Sequence, residues 1–255
     1  MNTCYGIDMT SDVVQNVILV AAASKFPIHR NGRPRERHDR LLEVFLRVLT
    51  TGMPWRAIER IDYRTAHRHF LRWARAGVFE EAYHKLLKLS RRPRKDKSFF
   101  VLDTSYVKNV FGTEVVGRNP TDRGRSATKV VALVDERGLP HRMGFVPANV
   151  SDHRVVHSVA PLPKAMHRGQ HWYADKGFDS NALRFQVREL GYLCRIAKRG
   201  IATPLWWRRR QRVVERFFGA LDKCRRLILR YDATIAAYSA WSWLAGCRLV
   251  SQYLS

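Results

Sequence analysis

From Asp39 onward the apolar positions fall three and four residues apart. Leu41, Leu42, Phe45, Val48 and Leu49 line one face of a predicted helix, with Asp39 where a cap belongs and Gly52 ending the run. Pro54 suits a first helical position and predicts a short helix to Arg60. Asp62 can cap the next helix. One of its faces carries Ala66, Phe70, Trp73 and Gly77, and the other carries Arg64, Arg68, Arg72 and Arg75. A further helix from Val78 to Leu89 closes the bundle through Phe79, Ala82, Leu86 and Leu89.

The texture changes after Ser90-Arg-Arg-Pro-Arg-Lys-Asp-Lys97, a short polar stretch containing a proline, as linkers do. Phe99-Phe-Val-Leu runs into Asp103 and reads as a buried strand ending on a carboxylate. Lys129 to Asp135 is a second strand, Glu136 to Pro140 a turn, and His141 to Val146 its hairpin partner. Asp152 can cap a short helix to Val159. His171-Trp-Tyr-Ala is another short strand ending on an acid, Asp175. Asp179 or Ser180 caps a helix through Leu190, and Tyr192 to Ala197 forms a strand. Arg208 to Arg230 reads as one long basic helix with Val214, Phe217, Phe218 and Leu221 on its core face, and an apolar helix from Thr234 to Leu254 packs the whole together. The expected organisation is a small all-α domain over residues 1–90, a basic linker over 91–98 and an α/β domain over 99–255, with a mixed sheet flanked by helices. The order of its elements is that of a ribonuclease H-like domain. Repeats and low-complexity tracts are absent.

Charge narrows the function. Lys plus Arg number 46 against 22 Asp plus Glu, a net charge of +24, which attracts polyanions. A membrane partner is disfavoured: the apolar stretch Val17 to Ala23 is far shorter than the ~20 residues of a spanning helix. Met1 to Thr10 carry no basic leader pattern. Cys4, Cys194, Cys224 and Cys247 are scattered, which suggests neither a disulfide framework nor a zinc site and points to a reducing compartment. The candidates are DNA, RNA, an anionic membrane surface or an acidic protein, and the expected partner is a nucleic acid inside a cell. Short helix, tight turn and basic helix give residues 1–90 the look of a helix-turn-helix, with Arg64, Arg68, Arg72 and Arg75 facing DNA; the alternative is a solvated surface helix.

Phosphodiester cleavage requires charge to be stabilised on the attacking and leaving oxygens, which two Mg²⁺ ions ~4 Å apart achieve. Such hard cations take carboxylate ligands, and Mn²⁺ is an expected substitute. Asp103 and Asp175 each end an apolar strand, and ligand sites in α/β sheets lie beyond the carboxyl ends of strands. Glu215 lies beside Val214, Phe217 and Phe218 on an arginine-rich helix, where a metal would compensate its burial. Taken singly, each acid has a structural reading, as a turn or cap residue or, for Glu215, as a partner of Arg212. Asp135, Asp152 and Asp179 read as turn and cap residues, and His153 and His157 as surface histidines. Arg118, Arg123, Lys129, Lys176, Arg208, Arg209 and Arg210 are candidate phosphate contacts. Trp206 and Trp207 either stack on an end base or belong to the core.

Several ordered motifs carry a family resemblance. Gly52-Met-Pro-Trp-Arg-Ala-Ile58, Val116-Gly-Arg-Asn-Pro-Thr-Asp-Arg-Gly-Arg125, Ala127-Thr-Lys-Val and Leu133-Val-Asp-Glu-Arg-Gly-Leu-Pro140 resemble IS4/IS5-type insertion-sequence transposases. Ala174-Asp-Lys-Gly-Phe-Asp-Ser180 resembles that family's second catalytic aspartate motif, and Val213-Val-Glu-Arg-Phe-Phe-Gly219 its catalytic glutamate motif. The resemblance runs from about Leu41 to Tyr231. It implies a DDE triad of Asp103, Asp175 and Glu215, a divalent metal, and recognition of terminal inverted repeats. It also implies hydrolysis that frees a 3′-hydroxyl, followed by attack of that hydroxyl on target DNA, in a homodimer or larger assembly on double-stranded DNA, in the cytoplasm at the nucleoid of a prokaryotic host or in the nucleus of a eukaryotic one. Relatives often place Tyr-x-x-Arg before the glutamate and Lys seven residues after it. Here Arg208, Gln211 and Asp222 hold those places, with Arg212 and Lys223 one position further on as candidate substitutes. The short interval between Asp175 and Glu215 leaves no room for the large insertion of some relatives. Rival readings are a ribonuclease H-like nuclease without strand transfer and a domesticated DNA-binding protein.

Overall fold

A computed structural model describes residues 12–27, 36–90, 98–167, 169–202 and 204–254, with the backbone alone at position 206. In chain order its helices are α1 (Asp12–Lys25), α2 (His38–Thr51), α3 (Tyr63–Arg75), α4 (Val78–Leu89), α5 (Asn181–Glu189), α6 (Leu205–Asp222), α7 (Arg225–Ile228) and α8 (Ile235–Val250). Its strands are β1 (Phe99–Asn109), β2 (Gly117–Arg118), β3 (Ser126–Asp135), β4 (Pro140–Pro147), β5 (His171–Ala174), β6 (Leu193–Ile196) and β7 (Leu229–Arg230). The chain forms two compact units: residues 1–91, 221–228 and 232–255 in one, and 92–220 and 229–231 in the other. Most of the expected 91–98 linker lies outside the described residues.

The helical unit follows the apolar periodicity. Leu41, Leu42, Phe45, Val48 and Leu49 of α2 are all buried. Asp39 does not cap α2. It lies in the first turn, 2.7 Å from the Arg37 guanidinium. Gly52 ends the helix at φ 67, a left-handed conformation that glycine adopts without a Cβ penalty, and its N–H donates to Val48 O. The helix expected over Pro54–Arg60 contracts to a 3-10 turn at Trp55–Ala57. Asp62 caps α3 as expected, accepting from Thr65 N at 2.9 Å. The core is aromatic: Phe45, Phe70, Trp73, Phe79 and Trp241 meet edge-on, tilted or stacked, with Phe70 and Trp241 centred 3.9 Å apart.

Two helices depart from expectation. α1 is present, burying Val14, Ile18, Ala21 and Ala22, although the sequence shows there only an apolar run. α8, expected to close the sheet domain, packs on α3 and α4 within the helical unit. Apolar residues surround α8 on almost every side, so its periodicity carries no information about which neighbour it will choose.

In the second unit β1 is central. It pairs antiparallel with β3, and β3 antiparallel with β4. On its other side it pairs parallel with β5, and β5 parallel with β6. One sheet face rests on a core of Phe100, Leu102, Val131, Leu133, Trp172 and Ala174, covered by Val155, Val156, Leu183 and Val187. Ser180, rather than Asp179, caps α5, accepting from Leu183 N. β1 does not end at Asp103. It continues to Asn109, where β7 pairs with it. The helix expected from Arg208 to Arg230 therefore breaks at Asp222. Arg230 is fully buried, and its guanidinium donates to Glu114 O at 2.6 Å and Thr128 Oγ1 at 2.7 Å. Its carbonyl accepts from Val110 N at 2.9 Å. These bonds outweigh local helix propensity.

Truncation of the stacked Phe70 to Ala should cost about 3–5 kcal/mol of stability in chemical denaturation. A loss below about 1 kcal/mol would remove Phe70 from the core that organises the helical unit.

Candidate active site

The parallel register of β1 with β5 sets Leu102 opposite Ala174. One residue further, Asp103 and Asp175 stand side by side. Side chains alternate along a strand, so Phe99, Val101 and Asp103 share one face, and Phe100 and Leu102 enter the core on the other. Asp175 follows Tyr173 onto the face of Asp103, because its backbone is still extended (φ −72, ψ 169). Asp103 Oδ1 accepts from Thr104 N at 2.8 Å, and Asp175 Oδ1 from Lys176 N at 2.6 Å. Asp175 opens the 3-10 turn Lys176–Phe178, which is anchored by buried Phe178.

Burial pushes the Asp103 carboxyl up to about 7, opposed by the Thr104 amide and assisted by the negative charges of Asp175, Asp152 and Glu215. Asp103 is thus the focus of a field of like charges. Perturbation of this kind is common where chemistry is done.

Contacts among the described residues tie α6 to the sheet unit. The Trp207 indole N–H donates to Arg195 O at 3.0 Å, Arg210 lies 4.6 Å from the centre of the Phe99 ring, and Val213 O lies against Gly138. Val213, Val214 and Phe217 are buried. The burial expected of Glu215 is not found. The residue is exposed, in an open groove with Arg209, Arg212 and Arg216, because the turn that buries 214 and 217 directs 215 and 216 outward. Among the described residues, no three His, Cys, Asp or Glu side chains are gathered closely enough to hold a metal ion as they stand. Asp103 and Asp175 are brought together, and Glu215 reaches Asp103 through its charge.

The other predicted site residues divide clearly. Arg64, Arg68, Arg72 and Arg75 are exposed on α3, and Arg72 lies over Phe26 at 4.9 Å. Arg118, Arg123, Lys176, Arg208, Arg209, Arg212 and Lys223 are also exposed. Trp207 is buried with its N–H satisfied, so it is a core residue and does not stack on a base. The side chain of Trp206 lies outside the described residues. Lys129 is 2% exposed, and its ammonium donates to Asp152 Oδ1 at 2.7 Å and Val150 O at 2.6 Å, which withdraws it from any phosphate. His153 and His157 are exposed, as expected of surface histidines. Asp135 is more than a turn residue: its buried carboxylate is held by Arg137, by Leu139 N and by His141, which keep it below the usual range against the cost of burial. Sequence reasoning named Arg210 with Arg208 and Arg209 but passed over Arg216, which adjoins Glu215 in sequence and was accessible to it. It read Asp152 as a cap, and no other signal marked that residue.

Comparison with known proteins decides the family. A family model described as "Transposase DDE domain" matches residues 94–250. The chain belongs to the DDE transposases. A second model, described as a proposed transposase of the IS4/5 family, matches residues 19–83 of this transposase. A proposed transposase for insertion sequence element IS402 of Burkholderia cepacia is 32% identical to it over 157 residues, 55% of this chain and 70% of that protein. The mixed sheet, with an antiparallel β1-β3-β4 side and a parallel β1-β5-β6 side, is the ribonuclease H-like sheet of this IS4/IS5-type transposase. None of the helices among the described residues is long and apolar enough to cross a membrane.

Because the Asp103 carboxyl is raised from 3.8 to about 7, the folded protein keeps a proton that the unfolded chain releases, and stability falls as pH rises through that window. In metal-free transposase, Asp103→Asn should therefore raise the thermal midpoint more at about pH 8 than at about pH 5. An equal effect at both would show that Asp103 carries no raised proton affinity.

Proposed function

We propose that this transposase binds the terminal inverted repeats of an insertion sequence, hydrolyses the phosphodiester at each end, and joins the freed 3′-hydroxyls to target DNA. The observation that carries the reading is the placement of Asp103 on β1 beside Asp175, one residue beyond the end of the parallel neighbour β5, with the Asp103 carboxyl pushed up by burial and by like charges that include Glu215. Oxygen donors that repel one another suit a hard divalent cation, which would lower that repulsion. Asp103, Asp175 and Glu215 would hold it, with Glu215 drawn in from its exposed position on α6. Two Mg²⁺ ions, or Mn²⁺ in their place, would supply electrostatic stabilisation of the attacking and leaving oxygens.

The remaining residues bind and orient DNA. Residues 1–90 provide the helix-turn-helix-like reader, with Arg64, Arg68, Arg72 and Arg75 of α3 presented to the duplex. The sheet unit does the chemistry. Arg208, Arg209 and Arg212, joined by Arg210 and Arg216, hold phosphates along α6 beside Glu215, and Arg118, Arg123, Lys176 and Lys223 extend the basic surface. Bringing two ends together calls for a homodimer or larger assembly on DNA, acting at the nucleoid of a prokaryotic host.

Purified protein incubated with Mg²⁺ and supercoiled DNA carrying the element ends should yield joined products. Nicks alone would make it a nuclease, and binding alone a DNA-binding protein. Asp103→Asn, Asp175→Asn and Glu215→Gln should each reduce cleavage to background and leave DNA binding intact; retained cleavage removes that residue from the site. Arg68→Ala should weaken binding and reduce the salt slope by about 1. An unchanged slope would dismiss α3 as the reader.

A further inference from the structure

Lys129 and Asp152 do not belong with the groups that contact DNA. Lys129 stands two and four residues before Val131 and Leu133 on β3, so it shares their face, the core face of the sheet, opposite Asp103. Its ammonium is buried there, 5.1 Å from the Tyr106 ring centre, and donates to Val150 O and Asp152 Oδ1. The other oxygen of that carboxylate lies against the turn that carries Asp175. A Cβ built on Gly177 would stand 2.5 Å from Asp152 Oδ2 and 3.3 Å from its Cγ. Gly177 is not among the glycines of positive φ, so what calls for glycine here is space and not backbone conformation.

We propose that Asp152, seated by Lys129, is the positioning residue for Asp175: its carboxylate fills the space over Gly177 and fixes, from behind the sheet, the turn from which Asp175 projects. The inference rests on the reading of Asp103, Asp175 and Glu215 as the metal site. Holding the aspartate turn before metal arrives removes the need to order it on binding. Partners outside the direct ligands typically contribute about 10- to 100-fold in metal affinity or activity. A buried lysine suits the task, because its hydrogen bonds leave the carboxylate few other places to go.

The test is Mn²⁺ uptake by calorimetry on the full chain, beside thermal unfolding and DNA cleavage. Asp152→Ala should weaken Mn²⁺ binding by roughly 10- to 100-fold and slow cleavage to match. Gly177→Ala, which pushes the carboxylate off its seat, should do the same. The double variant should be no weaker than Asp152→Ala, since the clash and the support disappear together. Asp152→Asn keeps the shape and an acceptor for Lys129, and should retain most of the affinity. An Asn variant as weak as the Ala variant would make Asp152 a ligand and overturn the positioning role. Additive losses in the double variant, or wild-type Mn²⁺ affinity in Gly177→Ala, would also overturn it. If Asp152→Ala does not fold, Gly177→Ala and Asp152→Asn carry the test. A wild-type chain that takes up no Mn²⁺ overturns the metal site itself, a failure separate from loss of coupling between Asp152 and Gly177.

Discussion

The parallel pairing of β1 with β5 is the contact on which the site depends, because it sets two carboxylates on one face of the sheet at neighbouring positions. Val101 faces Tyr173 and Leu102 faces Ala174, and all four are buried. With a side-chain period of two, a slip of one residue would carry Asp175 to the core face and Trp172 and Ala174 out of it. The apolar core therefore enforces the register, and the register places the acids. The two functions share a strand pair that cannot satisfy one without the other.

Placing those acids together has an electrostatic cost that the surroundings only partly offset. Burial and neighbouring acids raise the Asp103 carboxyl, and the Thr104 amide opposes the rise. Lys129 takes up Asp152 on the other face, while the cations near Glu215 line an exposed groove. The net charge of +24 thus resolves into local roles. Buried cations such as Lys129 and Arg230 hold loops and strand ends in place, and exposed ones on α3 and α6 remain available to phosphate.

Much of the fold was legible in the sequence because the elements concerned have one apolar face. α2, α3 and α4 show a clear stripe, Asp62 is a sound cap, and β3 and β4 flank a plain hairpin turn. Asp103 and Asp175 could be picked because each follows an apolar run. The misreadings occurred where local pattern carries no such information. α8 is apolar nearly all round, Trp207 resembles its neighbour Trp206, and Lys129 resembles any lysine on a basic protein.

The sequence by itself determined the two textures of the chain, the family through its ordered motifs, and the two strand-end aspartates that the sheet sets side by side. These are properties of periodicity and residue type, which are local and written along the chain. Tertiary structure alone decided that α8 joins the helical unit, that Arg230 ends the long helix by reaching Glu114 and Thr128, and that Asp152 lies against Gly177. Each of these joins residues far apart in the chain or chooses among equally apolar surfaces. Such a choice depends on which partners folding makes available, and a one-dimensional pattern does not contain it.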